Sequence, residues 1–337
     1  MIMKKLKFKR WPYRLYAPWY YKLKKLKASI DLKKWGFDSA LADALAQVYW
    51  NRYLSKKYIK EMRLEGERVF DGQPVTRNSD EAFILACGNS INHIAKSEWD
   101  FISKHYSVGV NAFFVHNFTA TEYFTEFNDN EIFIELAYQQ LLNNEDRKHV
   151  NVFVSAYFVV VESLKYVAPK VIKPIFYAAD RVRLDNVELL MNVVKDYYRQ
   201  DKPIKLSHQI SNLDVVINYC VGNGYKNIYL VGVDLNEHTY FWEDQDNPVY
   251  KRATEYTETI RRKYKLSKEK GSLHSTASDA QGKQLGRLNI ADYLFHLQNN
   301  ILNELGVQLY VTNPESLLAS KLPVETLSSM VSANTEA

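Results

Sequence analysis

The fold is decided by two stretches of the chain, FILACGNS at 83–90 and IYLVGVD at 228–234. Each is an unbroken apolar run that leads into glycine and a short polar residue. An apolar run without alternation is typical of a parallel strand that helices cover on both faces. A turn of small residues just past such a strand leaves backbone N–H groups free, and phosphate or carboxylate binds well there. The two stretches therefore predict an α/β protein that uses a nucleotide.

Strands and helices alternate on both sides of these stretches. We predict strands or long apolar runs at 82–87, 106–110, 131–136, 150–161, 171–178, 227–233 and 307–311, and helices at 38–64, 90–104, 184–199, 212–222 and 288–305. Alternation of this kind predicts one doubly wound, mostly parallel, Rossmann-like sheet.

The domain organisation follows from the same alternation. A helical N-terminal extension at 1–65 precedes a nucleotide-sugar-binding catalytic domain at 81–322, and a flexible tail covers 323–337. The polar stretch 236–286 interrupts the domain just after the carboxyl end of a strand. A long insert at that position predicts a lid over the ligand crevice.

Cysteine usage points to a reducing compartment. The 337-residue chain is 46% apolar and has two cysteines, Cys87 and Cys220, in apolar surroundings far apart in sequence. Neither a disulfide framework nor a zinc-binding spacing is present. We expect no metal and no required cofactor beyond a nucleotide-sugar substrate.

The N-terminal segment is strongly basic and aromatic. Residues 1–34 contain twelve Lys or Arg and one acid, which gives +11, and because the whole chain carries +5 the remainder carries −6. Six Trp and Tyr residues are interleaved with these cations between 11 and 21. Lysines attracted to anionic headgroups, with Trp and Tyr at the interface, describe a segment that lies on a membrane surface. No apolar stretch is long enough to cross a bilayer.

Two other interpretations of this segment remain open. Phosphate pairing and base stacking use the same residue types, so the segment could bind nucleic acid. It could also be a disordered solubilising arm or a packing extension. The acidic body argues against nucleic acid as a partner, because a basic groove on the folded part is usually needed. We expect a cytoplasmic protein held on the inner face of the cell membrane.

Several polar groups follow predicted strands. The turn after the first strand is neither the GxGxxG fingerprint nor a Walker loop, so it could be an ordinary strand-to-helix turn. Asn111 and Asp234 also stand at strand ends, and an Asp there can bind ribose hydroxyls or cap a turn. Because the carboxyl ends of parallel strands share one edge, the three groups together indicate a site more strongly than any one of them.

Two motifs fall in the predicted lid. His274 is of the residue type that most often removes a hydroxyl proton near neutral pH, although a single loop histidine is more often a bystander. Asp244-Gln245-Asp246 matches the DxD metal and nucleotide motif of many glycosyltransferases, a match that arises easily by chance. No GxSxG elbow is present, so hydrolase interpretations have little support.

The order and spacing of these motifs resemble those of the bacterial sialyltransferases of glycosyltransferase family 42, and of the broader MptE-like domains related to them. The resemblance covers about residues 82–322 and is strongest over 224–234 and 313–319. It is carried by residues 84–91, 110–113, 210–212, 224–234, 274–275 and 313–319.

The resemblance implies a single GT-A-like domain that transfers a nonulosonic acid from its CMP-activated form, with inversion. It assigns His274 as the catalytic base and Tyr240 as a group that stabilises the leaving phosphate. Nucleotide-sugar contacts fall on Gly88, Asn89, Ser90, Asn111, Ser211, Asn212, Gly232, Asp234 and Asn236.

Three positions depart from the family pattern. Its nucleotide-contacting Asn in the first turn falls on Cys87 unless Asn89 replaces it. One of its two phosphate-stabilising tyrosines is Asn236 here, and an Arg of the family is Gln209. These departures bear on donor identity and on the handling of the acceptor.

The sequence therefore predicts an inverting transferase with a CMP-sugar donor and a glycan acceptor, including lipid-linked glycans. One alternative is a metal-dependent transferase that uses UDP- or GDP-sugars and binds the metal through Asp244 and Asp246. Another is a nucleotide-binding, membrane-associated protein without catalysis. Pterin pyrophosphokinase chemistry, known among MptE-like proteins, ranks last because no clustered acids for two magnesium ions are present.

Overall fold

The computed structural model describes residues 66–127, 130–156, 170–180, 184, 186–200, 203–236, 239–243, 246–264 and 288–336, and scattered helical positions between 26 and 64. His274 and Asp244 lie outside the described residues, as does 265–287 of the expected lid.

Eight strands form one sheet in the described part of the chain. They are β1 (Arg68–Val69), β2 (Glu81–Leu85), β3 (Tyr106–Val110), β4 (Glu122–Thr125), β5 (Asn151–Ser155), β6 (Ile175–Tyr177), β7 (Asn227–Val231) and β8 (Gln308–Val311). Their order across the sheet is β1-β6-β5-β4-β3-β2-β7-β8, and every neighbouring pair is parallel. The predicted doubly wound parallel sheet is confirmed.

Helices cover both faces of the sheet. They are α1 (Lys96–Ile102), α2 (Glu131–Ala137), α3 (Val187–Lys195), α4 (Asn212–Gly222), α5 (Pro248–Tyr264), α6 (Ile290–Leu297) and α7 (Leu327–Glu336). α3, α4 and α6 pack on one face, and α1, α2, α5 and α7 on the other.

Strand β2 shows why its sequence is apolar throughout. Ala82 and Ile84 join the core on the α4 face, whereas Phe83 and Leu85 join the core on the α1 face. All four are fully buried. Both faces of a strand are covered in such a three-layer arrangement, so no position is left for a solvated side chain.

Two predicted elements are corrected by the structure. The stretch 131–136, predicted as a strand, is helix α2, and it begins where the Asn130 side chain accepts hydrogen bonds from the N–H groups of Ile132 and Phe133. The strand at that place in the sheet is β4, which the sequence did not indicate. The helix predicted at 90–104 is divided into a 3₁₀ turn, Asn89–His93, and α1.

Parts of the expected lid and of the expected flexible tail pack against the core. Phe241 and Trp242, in the stretch expected to form the lid, are buried beneath α5. The stretch expected to be a flexible tail, 323–337, contains α7, whose Leu327 and Met330 are buried in the core on the α1 face.

The strand order fixes where a ligand crevice can form. From β2 the chain moves outward through β3, β4, β5 and β6 on one side, and β7 then joins β2 on the other. The connections therefore reverse direction between β2 and β7. In open α/β sheets, ligands bind outside the carboxyl ends of the strands at such a switch point.

Candidate functional site

The two stretches that decide the fold meet at the switch point. Beyond β2 and β7, the N–H of Ala86 donates to the carbonyl of Val231 at 2.8 Å, and the N–H of Gly88 donates to that of Gly232 at 2.8 Å. A Cβ atom on Gly88 would lie 2.6 Å from the Gly232 oxygen and would also collide with the Asp234 carboxylate. Only glycine lets the two turns approach this closely.

The Asp234 carboxylate holds the first turn in place. It is 4% exposed and accepts three hydrogen bonds, from the Ser90 N–H at 2.9 Å, the Ser90 hydroxyl at 2.6 Å and the Asn313 side-chain amide at 2.9 Å. Ser90 therefore binds Asp234 through both its N–H and its hydroxyl. Charge-assisted bonds of this kind are about twice as strong as neutral ones, so they fix the turns after β2, β7 and β8 relative to one another.

Asn111 follows β3 in a left-handed backbone conformation, with φ of 55°. Asparagine tolerates this region better than most residues. Its Oδ1 accepts a hydrogen bond from Asn212 at 3.0 Å, and within the described residues its side-chain N–H₂ donates to no protein group. The side chain is half-buried, so this amide is a donor that a ligand at the crevice can use.

The Asn212 side chain is buried, with the residue 3% exposed, and it links several elements of the fold. Its side chain donates to Asn111 and to the Phe124 carbonyl at 3.0 Å, and it accepts from the Tyr177 hydroxyl at 2.8 Å. These bonds tie the first residue of α4 to the ends of β3, β4 and β6. The predicted contact residue thus positions the site, because its polar atoms are engaged by protein partners.

Ser211 caps the start of α4. Its Oγ accepts from the Leu213 N–H at 3.2 Å, and its hydroxyl hydrogen has no recorded acceptor in the part of the chain that is described. The helix N-terminus also favours a negative group at this point. Ser211 is half-buried and is therefore a second donor facing the crevice.

Asp214, in the first turn of α4, accepts hydrogen bonds from the backbone N–H groups that directly precede the helix. Its Oδ2 accepts from the N–H groups of Gln209, Ile210 and Ser211 at 3.0, 2.6 and 3.3 Å. The residue is fully buried, and burial raises its pKa to about 6, against the lowering effects of nearby His208 and of these hydrogen bonds. An incoming phosphate must therefore use Ser211 and Asn111 instead of these three N–H groups.

The chain after β7 returns over the first turn. Tyr240 forms an antiparallel bridge with Gly88, and the Phe241 N–H donates to the Cys87 carbonyl at 3.3 Å. Desolvation raises the pKa of the Tyr240 hydroxyl well above its usual range. A tyrosine hydroxyl is protonated at neutral pH even without such a shift, and the charged and polar groups that act on this one are Tyr256, Cys87, Glu243 and Arg261 of the protein itself.

A buried ion pair anchors this return. The carboxylate of Glu243 accepts from Arg261 at 2.8 and 2.9 Å, and the Tyr240 N–H donates to the same carboxylate at 3.1 Å. The Tyr240 ring stacks on Trp242, with centroids 4.5 Å apart. Bidentate pairing with arginine gives a fixed geometry, so the position of Tyr240 is set by α5.

The remaining predicted residues are at the rim or outside the described structure. Asn236 is exposed, and its side chain donates to the Glu315 carbonyl at 2.6 Å. Asn89 accepts a hydrogen bond from Asn92 at 3.0 Å. Asp246 is fully exposed and lies 3.5 Å from the Lys251 ammonium. Within the described residues, no group of three or more His, Cys, Asp or Glu is placed to hold a metal ion.

Two features of the candidate site were missed from the sequence. Asn313, quoted only as part of a turn, completes the Asp234 network. Glu126 and His208 approach to 3.0 Å at the carboxyl end of β4. The signal for Asn313 was its position just after a strand, whereas Glu126 could not be placed because β4 itself was not predicted.

The comparisons with known proteins give similarity only to solved structures. No protein-family model matches the sequence, and no curated protein matches it significantly. The monofunctional α-2,3-sialyltransferase Cst-I of Campylobacter jejuni is 14% identical with a TM-score of 0.41, over 77% of this chain and 85% of that one. Sialyltransferase CST-II in complex with a trisaccharide acceptor and CMP is 14% identical with a TM-score of 0.39, over 72% and 85%.

A third similar structure is CstII of Campylobacter jejuni with the substrate analogue CMP-3FNeuAc, 16% identical with a TM-score of 0.37, over 72% of this chain and 84% of that one. TM-scores below 0.5 do not establish a shared fold. The fold of this chain is defined by its own parallel eight-stranded sheet.

Proposed function

We propose that this protein is an inverting glycosyltransferase that moves a nonulosonic acid from a CMP-sugar to a glycan acceptor. The observation that carries the proposal is the convergence of Gly88, Ser90, Asn111, Ser211 and Asp234 on one edge of the sheet at its switch point. Their order along the chain also matches the motifs through which the sequence resembles family 42 sialyltransferases.

In this proposal the nucleotide lies over the first turn. Asp234 and Asn313 hold that turn, and Asn111 offers its side-chain N–H₂ to the nucleotide. The Ser211 hydroxyl, at the N-terminus of α4, donates to the phosphate or to the sugar carboxylate. These donors are fixed by the protein before the ligand arrives, which is what stabilises developing charge most effectively.

The chemical step needs a proton acceptor and a stabilised leaving group. His274 takes the proton of the acceptor hydroxyl, which attacks the anomeric carbon through an oxocarbenium-like transition state. The bond from the anomeric carbon to the phosphate oxygen breaks, and CMP leaves with its phosphate stabilised by the Tyr240 hydroxyl, the role that the resemblance implies for this residue. The assignment of His274 comes from the sequence resemblance alone.

A thermal-shift panel tests the nucleotide. We expect CMP to raise the melting temperature more than UMP, GMP or AMP, with no requirement for magnesium, because ligand binding to the native state stabilises it by mass action. A response to UMP or GMP that appears only with magnesium would instead support the metal-dependent alternative through Asp244 and Asp246. No response to any nucleotide would contradict the proposal.

The proposal includes attachment to an anionic membrane through residues 1–34. Among the described helical positions, Leu26 and Ile30 lie one turn apart and are exposed, as are Lys27, Lys33 and Lys34. No helix in the described part of the chain is long and apolar enough to cross a bilayer. Apolar side chains beside lysines suit a surface that is both anionic and partly apolar.

A vesicle sedimentation assay tests this part separately. We expect binding to phosphatidylglycerol vesicles and not to phosphatidylcholine vesicles, with release at high salt, because screening weakens attraction between exposed charges. Deletion of residues 1–34 should abolish binding without changing the response to CMP. Equal binding to both vesicle types would contradict it.

A further inference from the structure

A cavity of about 380 Å³ lies between the N-terminal helical positions and the carboxyl ends of β1 and β6. Its lining includes Lys56, Phe70, Asp71, Asp180 and Lys205, and we refer to it as the β1–β6 cleft. The volume is within the range of small-molecule sites. The cleft opens on the same edge of the sheet as the candidate site, because all eight strands are parallel.

A single segment of chain joins the cleft to the crevice. The Asp180 N–H donates to the Leu206 carbonyl at 2.8 Å, and the His208 N–H donates to the Asp180 carbonyl at 2.9 Å. Three residues later, Ser211 caps α4. A ligand that begins in the cleft can therefore extend along residues 206–211 toward the site of the chemistry.

The charge of the cleft is balanced. Two lysines and two aspartates line it, and the Tyr197 hydroxyl donates to Asp180 Oδ2 at 2.9 Å. Neither Lys56 nor Lys205 forms an ion pair within the described residues. The Ile59, Phe70 and Leu206 side chains supply apolar surface. An anionic ligand would need an excess of cations. Balanced hydrogen-bonding groups beside apolar surface instead suit a neutral saccharide, which has hydroxyl groups at its rim and an apolar ring face.

A histidine–glutamate pair lies on the path from the cleft to the crevice. The Nε2 of His208 is 3.0 Å from Oε1 of Glu126, just beyond β4, and the two side chains are 12% and 21% exposed. His208 Nδ1 has no recorded partner within the described residues. A neutral imidazole has one nitrogen that donates and one that accepts, so His208 Nδ1 can exchange a hydrogen bond with a sugar hydroxyl.

We propose that the β1–β6 cleft binds the acceptor, a neutral saccharide, with the Glu126–His208 pair contacting a hydroxyl group at the end nearest Ser211. The proposal rests on the transferase function proposed above and names the site of its second substrate. The donor would then bind at the switch point between β2 and β7, and the acceptor beyond the carboxyl ends of β4, β5, β6 and β1.

Saturation-transfer NMR tests the cleft with neutral probes: methyl β-galactoside, methyl α-glucoside and methyl N-acetyl-β-glucosaminide, each with and without CMP. Lys205→Trp fills the cleft from its exposed rim. Lys104→Trp, an exposed lysine before the amino end of β3, is the matched control. We expect a saturation-transfer signal on at least one glycoside with the native protein and with the control. The signal should be lost in Lys205→Trp, whose affinity for CMP should be unchanged.

Two results would overturn the proposal. One is the absence of a saturation-transfer signal on all three glycosides, and the other is a signal with Lys205→Trp that equals the signal with the control. If Lys205→Trp does not fold, the double variant Lys56→Ala/Lys205→Ala must weaken the glycoside signal at least fivefold. Failure of CMP to bind the native protein would instead count against the proposed function. The glycoside signal measured in the absence of CMP does not depend on CMP binding, so the two failures can be distinguished.

Discussion

One glutamate begins strand β4 and another directly follows it, and the surroundings of the two side chains differ. Glu122, its first residue, is buried and accepts hydrogen bonds from the hydroxyls of Tyr106 and Tyr219 and from the Asn151 amide, at 2.5, 2.9 and 3.1 Å. Glu126, one residue past its end, is partly exposed beside His208. The amino edge of the sheet is closed by its own partners, whereas the carboxyl edge offers groups to a ligand.

The contrast holds for the free donors of the two edges but not for the exposure of their histidine–glutamate pairs, whose side chains are 19% and 30% exposed at the amino edge and 12% and 21% exposed at the carboxyl edge. His105 and Glu81, at the amino edge, form a second histidine–glutamate pair at 3.2 Å. At the carboxyl edge, Asn111 and Ser211 offer donors that no described protein group accepts. The residue types are similar at both edges, so the direction of the strands decides which cluster can be functional.

The largest expected effect concerns the proposed base, His274, which is compared with His105, a histidine of the amino edge. His274→Ala should lower kcat by about 10²–10⁴-fold, the usual contribution of a general base. CMP affinity should barely change, because the base acts on the acceptor. His105→Ala, the amino-edge control, should leave kcat unchanged. Steady-state kinetics and CMP titration measure both, and an equal loss of kcat in the two variants would contradict the contrast.

Stability should show the opposite ranking. Glu122→Ala leaves three buried donors without an acceptor and should lower the free energy of unfolding by roughly 3 kcal/mol. Glu126→Ala, at a partly exposed position, should lower it by less than about 1 kcal/mol. Urea denaturation measures both free energies. A larger loss for Glu126→Ala would mean that the carboxyl edge is structural as well.

The pH dependence of stability tests the burial of Asp214. Its folded pKa of about 6 lies above the usual 3.8 of an aspartate, so between these values the native state holds more protons than the unfolded state. The free energy of unfolding should then fall as pH rises from 4 to 6, by up to about 3 kcal/mol from this group. Asp214→Asn should remove that part of the slope, as measured by denaturation at a series of pH values. A slope unchanged in the variant would contradict the assignment.

The smallest expected effect is on nucleotide affinity. Asn111→Gly removes the side-chain donor while keeping a residue that accepts φ of 55° without strain. Loss of one hydrogen bond should weaken CMP binding about tenfold. Asn151→Ala, at the amino edge, is the control and should not change the dissociation constant. Calorimetric titration separates the two, and equal affinities for CMP would remove Asn111 from the site.

Part of the fold could be predicted because local and global signals agree. Helix α4 was predicted at 212–222, the bounds that the structure shows, and Gly224, with φ of 88°, was expected to end it. The structure adds the cap at its start, Ser211. Strands β2 and β7 were predicted because a strand covered on both faces is continuously apolar.

Strand β4 could not be predicted because its ends are polar. Glu122 and Thr125 are buried in β4, and Glu122 is tolerated only because Tyr106, Tyr219 and Asn151 reach it from distant parts of the chain. The short run at 131–136 was mistaken for the strand, since a short apolar run does not distinguish a strand from a buried helix.

The site was predictable in position and less so in detail. The positions at the strand ends follow from strand direction alone, and Asn111 and Asp234 do lie on one edge of the sheet. Ser211, at the start of α4, was predicted only through the resemblance. That Asp234 binds Ser90 and Asn313, and that Asp214 occupies three N–H groups, depends on tertiary contacts between segments that no local pattern encodes.

A crystal structure of the protein with CMP tests the central claim most directly. We expect the phosphate over the turn at Gly88–Ser90 and within hydrogen-bonding distance of Ser211, with Asn111 in contact with the nucleotide and His274 facing the same crevice. A nucleotide bound at the amino edge, or His274 far from the crevice in the closed complex, would contradict it.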